Sequence, residues 1–389
     1  MLRTQSNIGS RERRSTRLLF FFAGFGAAAW ASIVPFAKTR AALDEGTLGL
    51  LLLCLGSGSI LAMPVTGALV TRHGCRKVLT VAAAIMCATL PHLALASTFA
   101  SLATALFVFG AGLGCVDCAV NMQAIIVETA SGKALMSGFH GFYSVGGIAG
   151  AAGVSALLTL GASPVVSIFA AVALMIALLC LAFNGLLPYG SPAEGPPFAL
   201  PRGIVLFLGI LCCIVFLVEG AMLDWSGVFL TGYRGVPEAQ SGFGFASFAL
   251  AMTVGRLTGD GIVNRLGPRM TVAGGGSLAV LGIVTSSLIP SWECSLVGYA
   301  LVGLGCSNIV PVLFSAVGRQ KTLPQAVAVP AITTLGYAGV LAGPAGIGFI
   351  AHRSSLASAF LILAALMAGV ALSSQVLEPP RRALGQTAD

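Results

Sequence analysis

The sequence predicts an all-α integral membrane protein with twelve transmembrane helices in two pseudo-symmetric six-helix bundles. Three observations carry this prediction. The chain of 389 residues is 57% hydrophobic and only 9% charged, against about 25% charged in a soluble domain. It contains twelve apolar runs of the length that crosses a hydrocarbon core of about 30 Å. A basic turn also recurs half a chain apart. Gly67-Ala-Leu-Val-Thr71-Arg72-His-Gly74-Cys-Arg76-Lys77 is matched by Asp260-Gly-Ile-Val-Asn264-Arg265-Leu-Gly267-Pro-Arg269, with Arg72 and Arg265 separated by 193 residues. A turn repeated at that distance marks a duplicated six-helix unit packed around a central site.

The predicted spans lie at 18–37, 48–71, 78–97, 99–127, 134–160, 163–187, 203–231, 240–264, 269–290, 294–318, 325–351 and 355–376. Short connections between them predict a compact antiparallel bundle. The 50 glycines suit membrane helices that pack through small side chains. The longest internal connection runs from Pro188 to Arg202 and carries Pro192, Pro196, Pro197 and Pro201. The domains are therefore an N-terminal bundle over 1–187, a linker over 188–201 without chemistry of its own, and a C-terminal bundle over 202–389.

Charge sets the orientation. With the N-terminus inside, only four of the 21 Lys and Arg (Lys38, Arg40, Arg234 and Arg353) fall on the outer side. Arg256 lies inside a span, and the remaining sixteen, from Arg3 to Arg382, are cytoplasmic. Both termini are expected in the cytoplasm. The net charge of +8 is then a topology signal with a weak attraction to anionic lipid, and nothing asks for nucleic acid. The first span imitates a signal peptide, with Ala29-Trp-Ala31 as a cleavage-like site. Eleven more spans follow it, and Trp30-Ala-Ser32 echoes Trp225-Ser-Gly227 in span seven, so it is expected to be retained.

The ten Cys form no framework with the four His, and no metal site is expected. Cys115 and Cys118 read as small packing residues. There is no nucleotide-binding loop, no cofactor motif and no nucleophile beside a base, so an enzyme is not expected. The informative residues are polar ones inside the spans, which are costly against lipid and need a partner or a watery cavity. Span four carries Asp117, Asn121 and Glu128, whose offsets of four and seven share a helical face. Span ten carries Asn308, 191 residues after Asp117 and its expected duplicate. Span seven carries Glu219 and Asp224, the latter beside Trp225, and span one offers Trp30. Arg256 and Asp260, four apart on span eight, can pair.

Here the sequence resembles the major facilitator superfamily. The Gly67–Lys77 segment is similar to its signature loop between helices two and three. More narrowly, Glu219-Gly-Ala-Met-Leu-Asp224-Trp225-Ser, Asn121-Met-Gln123 with Glu128, and Phe139-His140-Gly141-Phe-Tyr143-Ser144 resemble the YbjJ-like and MosC-like carriers, distant relatives of fucose permeases. The resemblance covers nearly the whole chain. It implies that helices 1, 4, 7 and 10 line a central cavity and that the signature loops, through Gly67, Arg72, Gly74, Arg76 and Arg265, form a cytoplasmic gate. Two departures matter. The family's acid in the loop is replaced by Thr71, with Asn264 at the repeat position, so Arg256 and Asp260 are expected to supply the second half's lock, with a static ion pair as the alternative. Span five, His140 to Gly150, also lacks the Pro of drug–proton antiporters.

These readings point to a secondary active carrier of a small polar organic solute, sugar- or cyclitol-like, in the bacterial inner membrane. The expected substrate-binding residues are Trp30, Asp117, Asn121, Asp224, Trp225 and Asn308: rings stack on C–H faces while polar groups take hydroxyls. Proton coupling needs a carboxylate that is neutral in one state and charged in another. Glu219 is the first choice and Asp117 the second. Glu128 lies near the cytoplasmic mouth, where Lys133 can hold it charged, and His140, at similar depth, either pairs with it and passes a proton or is a packed histidine satisfying a neighbouring helix. The expected partners are the small-molecule substrate, protons and the lipid bilayer, with the chain a monomer. Symport is the leading mode; an efflux pump for amphipathic compounds and a transporter-like sensor without turnover are the alternatives.

Overall fold

In the computed structural model of the chain, residues 8–190 and 200–377 are described. Expectations resting on Arg3, on linker positions 191–199 with Pro192, Pro196 and Pro197, and on Arg381 and Arg382 lie outside the described residues.

All regular structure among the described residues is helical, without strands. The helices are α1 (Ser10–Arg40), α2 (Glu45–Leu95), α3 (Phe99–Ser131), α4 (Met136–Thr159), α5 (Pro164–Phe183), α6 (Gly203–Arg234), α7 (Phe243–Leu288), α8 (Trp292–Cys306), α9 (Ile309–Arg319), α10 (Gln325–Arg353) and α11 (Leu356–Leu372). With α8 and α9 taken as one broken span, ten are long and apolar enough to cross a membrane. This differs from the twelve separate helices expected, and the reason is local. Helix α2 has 51 residues, about 77 Å at about 1.5 Å per residue, far more than a bilayer core requires. Inside it Gly74 (φ 80°, ψ 161°) leaves the helical region and joins two helices across a kink. Gly267 (φ 79°, ψ 165°) does the same within the 46 residues of α7. Each basic turn is thus a single glycine in a backbone conformation that side chains with a Cβ rarely adopt. The junction in α8–α9 was not legible: the ladder breaks at Ser307 and Asn308 (φ −110°, ψ −4°).

Small residues set the pairings. In α1 and α4, a Cβ at Gly24 would overlap the carbonyl of Tyr143, and one at Gly146 the carbonyl of Phe21. The same contact recurs between α6 and α10, where Gly339 lies against the Cys213 carbonyl. Gly110 of α3 meets the Leu55 carbonyl of α2, and Gly303 of α8 meets the Phe248 carbonyl of α7. Without a hydrophobic driving force between helices, such close backbone contact supplies the packing energy.

Both kinks lie on the side where α1 begins, called here the basic face. Arg76 fixes the first: its Nε donates to the Leu186 carbonyl at 2.9 Å, past the end of α5, and its guanidinium lies 5.4 Å from the Phe183 ring. It thereby occupies carbonyls that the helix end leaves unpaired. Arg72 and Arg265 are exposed there. Toward this face the helices are buried on every side, over residues 121–125, 136–141, 309–314 and 326–330. Beyond Ile148 in α4 and Val340 in α10 they present exposed positions again. A helix buried all round has neighbours all round, so the basic face is the closed end.

Candidate functional site

The centre of the molecule holds one connected polar path. Asp117 and Asn121 lie a turn apart on α3, and Asn121 Nδ2 donates to the Asp117 carbonyl at 2.9 Å and to its Oδ1 at 3.3 Å. His140 Nε2 donates to Asn121 Oδ1 at 3.2 Å, and its ring lies between Phe20 and Phe314. From α10 the Tyr337 hydroxyl faces the Asp117 carboxylate and interacts with it. On α4, one turn beyond His140, Ser144 donates to the His140 carbonyl at 3.5 Å and accepts from Arg256 at 3.1 Å. Arg256, in turn, reaches both Glu219 oxygens, at 3.2 and 3.3 Å. The path runs through α10, α3, α4, α7 and α6, and it joins Asp117 to Glu219. Arg256 is only 6% exposed, and a charge buried to that degree needs its counter-charge nearby.

Two pairings expected from spacing are not made. Arg256 does not bridge to Asp260, although they are four apart. The guanidinium points to the centre, where Glu219 neutralises it. Asp260 turns to the start of α4 and accepts from the Gly138 N–H at 2.9 Å. Likewise His140 does not pair with Glu128. Glu128 Oε2 accepts from the Leu135 and Met136 N–H groups at 2.8 and 2.9 Å. Both acids are drawn to the first turn of α4 because its N–H groups lack intrahelical partners and carry the positive end of the helix dipole.

Other predicted residues stand apart from the path. Asn308 does not duplicate Asp117 in space. It sits at the α8–α9 break, and its Nδ2 donates to the Gly255 carbonyl at 3.1 Å and to Ser307 Oγ at 2.9 Å. Trp30 is 3% exposed within the apolar core, so its ring is already covered and has no free face for stacking. Trp225 lies over Gly348 of α10, within 3.4 Å of where a Cβ would stand, with Nε1 buried and unpaired. Asp224 is exposed and lines a cleft of about 490 Å³ with Ser226, Thr231, Glu238, Ser241 and Phe245, toward the end of α6 away from the basic face. Tyr337 was missed by sequence reasoning. Its signal was present: it lies 193 residues after Ser144, the displacement of the basic turns.

The closed face is built differently at its two repeated seams. Between α7 and α4, Asp260 holds Gly138, and Asn264 Oδ1 accepts from the Ala134 N–H at 3.0 Å. Between α2 and α10, Gly67 packs directly on the backbone, where a Cβ would overlap the Ala326 carbonyl. Thr71 returns its hydroxyl to the Gly67 carbonyl at 3.0 Å on its own helix. One seam is held by polar side chains and the other by backbone contact.

Paired spans kinked at duplicated glycines, with a charged path buried between them, define a multi-pass membrane transporter fold. Residues 18–322 match the model of the Major Facilitator Superfamily, and the chain belongs to that superfamily. Among its relatives, an MFS-type transporter of Yersinia pestis is 54% identical over 95% of this chain and 96% of its own. Membrane protein MosC of Rhizobium meliloti is 31% identical over 91% of this chain and 87% of its own. Among solved structures, FucP in the outward conformation superposes with a TM-score of 0.77 at 16% identity, covering 94% of this chain and 98% of that one.

Proposed function

We propose that this chain is a proton-coupled secondary transporter that moves a small polar organic solute across the bacterial inner membrane by alternating access. Each kinked helix is read as two crossings, giving twelve in two six-helix bundles over 1–187 and 202–389. The sixteen-to-four distribution of Lys and Arg favours a cytoplasmic basic face and cytoplasmic termini. The closed basic face is then an outward-side state, in keeping with the likeness to FucP in its outward conformation. FucP is a fucose:proton symporter, which supports symport of a sugar-like solute as the leading mode.

The observation that carries the coupling is the unequal surroundings of the two central acids. Glu219 is matched by Arg256 at 3.2 Å, whereas Asp117 meets the neutral donors Asn121 and Tyr337. A proton on Glu219 would strand the guanidinium of Arg256 in a buried site. A proton on Asp117 strands nothing. Asp117 therefore takes precedence over Glu219 as the proton-carrying group, reversing the order expected from the sequence. Asp260 and Asn264 act as the gate that closes the cytoplasmic side.

The test is solute flux into proteoliposomes holding the purified protein, over a panel of sugars and cyclitols, with and without an inward proton gradient. At least one solute should accumulate only when the gradient is imposed. Asp117→Asn should abolish accumulation yet retain exchange between the two sides. Accumulation that ignores the proton gradient, or that survives Asp117→Asn in full, overturns the assignment.

A further inference from the structure

We infer that Ser144 and Tyr337 are a repeated pair of positioning residues, each tying its own half of the molecule to a charged group in the other half, so that the charge of the central acids sets how firmly the halves stay closed. The inference rests on the transport reading above.

The pairing begins in the sequence numbers. Ser144 and Tyr337 are 193 apart, as are Arg72 and Arg265, Gly74 and Gly267, Gly146 and Gly339, and Gly150 and Gly343. The displacement is structural as well. Gly146 lies against the Phe21 carbonyl of α1, and Gly339 against the Cys213 carbonyl of α6. Gly150 and Gly343 meet Phe25 and Leu217, respectively, on the same two helices. Ser144 and Tyr337 thus hold equivalent stations on α4 and α10, one half-turn before those glycines.

From these stations the two hydroxyls reach across in opposite senses. Ser144, in the first half, accepts from Arg256 of the second at 3.1 Å. Tyr337, in the second half, meets Asp117 of the first. Asp117 is also faced by Cys118 on its own helix, by Tyr143 on α4 and by Cys212 on α6. Arg256 is faced by Glu219, by His140 and Tyr143 on α4 and by Cys306 on α8. Each cross-half contact joins a hydroxyl to a group that can carry charge, and a hydrogen bond with an ionised end is stronger than a neutral one. Adding a proton to Asp117 removes that advantage from the Tyr337 contact. Displacing Glu219 from Arg256 redirects the guanidinium that Ser144 receives. A bond present in one arrangement of the halves and weakened by a ligand shifts the population between arrangements.

The test reads closure directly, without a transported solute. Ser137 is 2% exposed on α4, and its Cβ lies beside Gly259 of α7 in the closed seam. In full-length Ser137→Cys protein, maleimide labelling is followed residue by residue by mass spectrometry at one fixed pH. Tyr337→Phe and Ser144→Ala should each raise the labelling rate at position 137 about tenfold or more, the change expected from losing one hydrogen bond to a charged group. Ser144→Thr, which keeps a hydroxyl, should stay at the parent rate. Labelling of Cys87, buried in α2 at 8% exposure, should not change. Parent-like rates in both Tyr337→Phe and Ser144→Ala overturn the inference, as does an equal rise at Cys87, which would indicate general loosening. A second arm varies pH in the parent. A closed fraction that ignores pH counts against the proton reading, while the fixed-pH arm still decides on the two hydroxyls.

Discussion

At the scale of single residues, Asp117 and Glu219 lie on one polar path but meet different partners. Arg256 binds both Glu219 oxygens, so removing the Glu219 charge has a structural consequence as well as a functional one. Glu219→Gln should lower thermal stability by about 3–5 kcal/mol, the usual result of leaving one member of a buried ion pair alone. The double variant Glu219→Gln, Arg256→Gln should recover most of that loss. Melting curves of the three proteins in detergent check it, and a double variant no more stable than the single one would show that the pair does not act as a unit. The sequence made the residue types and heights of these acids legible, because an acid inside an apolar run stands out by its cost. It did not reveal their partners. The four-residue spacing of Arg256 and Asp260 permits a pair, but spacing within one helix says nothing of Glu219 on α6 or of the unpaired N–H groups at the start of α4. Those depend on helix rotation and on neighbours distant in sequence. Trp30, buried in the apolar core, was not separable from a cavity residue for a related reason, since an aromatic in a span looks alike whether it lines a cavity or fills a core.

At the scale of elements, helix contact is carried by glycines whose missing Cβ lets backbones touch. Two glycines of α4 separate this effect from helix propensity. A Cβ at Gly146 would overlap the Phe21 carbonyl, whereas one at Gly153 meets nothing within 4 Å. Gly146→Leu should therefore force α1 and α4 apart and sharply reduce the yield of folded protein. Gly153→Leu should be tolerated. Equal behaviour of the two in size-exclusion profiles and melting would remove close packing as the cause. The kinks give a second contrast. Gly74→Ala combines positive φ with overlap on the Pro188 carbonyl, whereas Gly267→Ala meets open space and bears only the conformational strain, about 1–3 kcal/mol. Gly74→Ala should be the more damaging by melting temperature. Apolar periodicity made the helices and their basic turns readable. It could not distinguish a short loop from a single-glycine kink, nor show the break at Asn308, because both are set by one residue's backbone angles.

At the scale of the whole molecule, the duplicated turn gives the repeat, and the repeat gives two equivalent seams on one face. The seams are not identical in chemistry. Asp260 and Asn264 hold α4 through side chains, while Gly67 offers only contact. Asp260→Ala should thus favour opening of the basic face, seen as faster labelling of Ser137→Cys, and Thr71→Ala should leave that rate unchanged. The sequence hinted at this asymmetry, since Asp260 in the second turn stands where the first has Gly67, but it did not show that Asp260 holds the start of α4 rather than Arg256.

Alternating access predicts reciprocal motion, and paired spin-label distances measure it most directly. One pair on Lys133→Cys and Arg265→Cys would report the basic face, and one on Leu160→Cys and Glu238→Cys the opposite face, all four being exposed positions. As pH is varied, a longer-distance population should grow on the basic face in step with a shorter-distance population on the opposite face, and Asp117→Asn should fix both distributions. Distances that stay single and constant on both faces at every pH, or that lengthen on both faces together, would contradict a transporter whose halves rock about a proton-bearing centre.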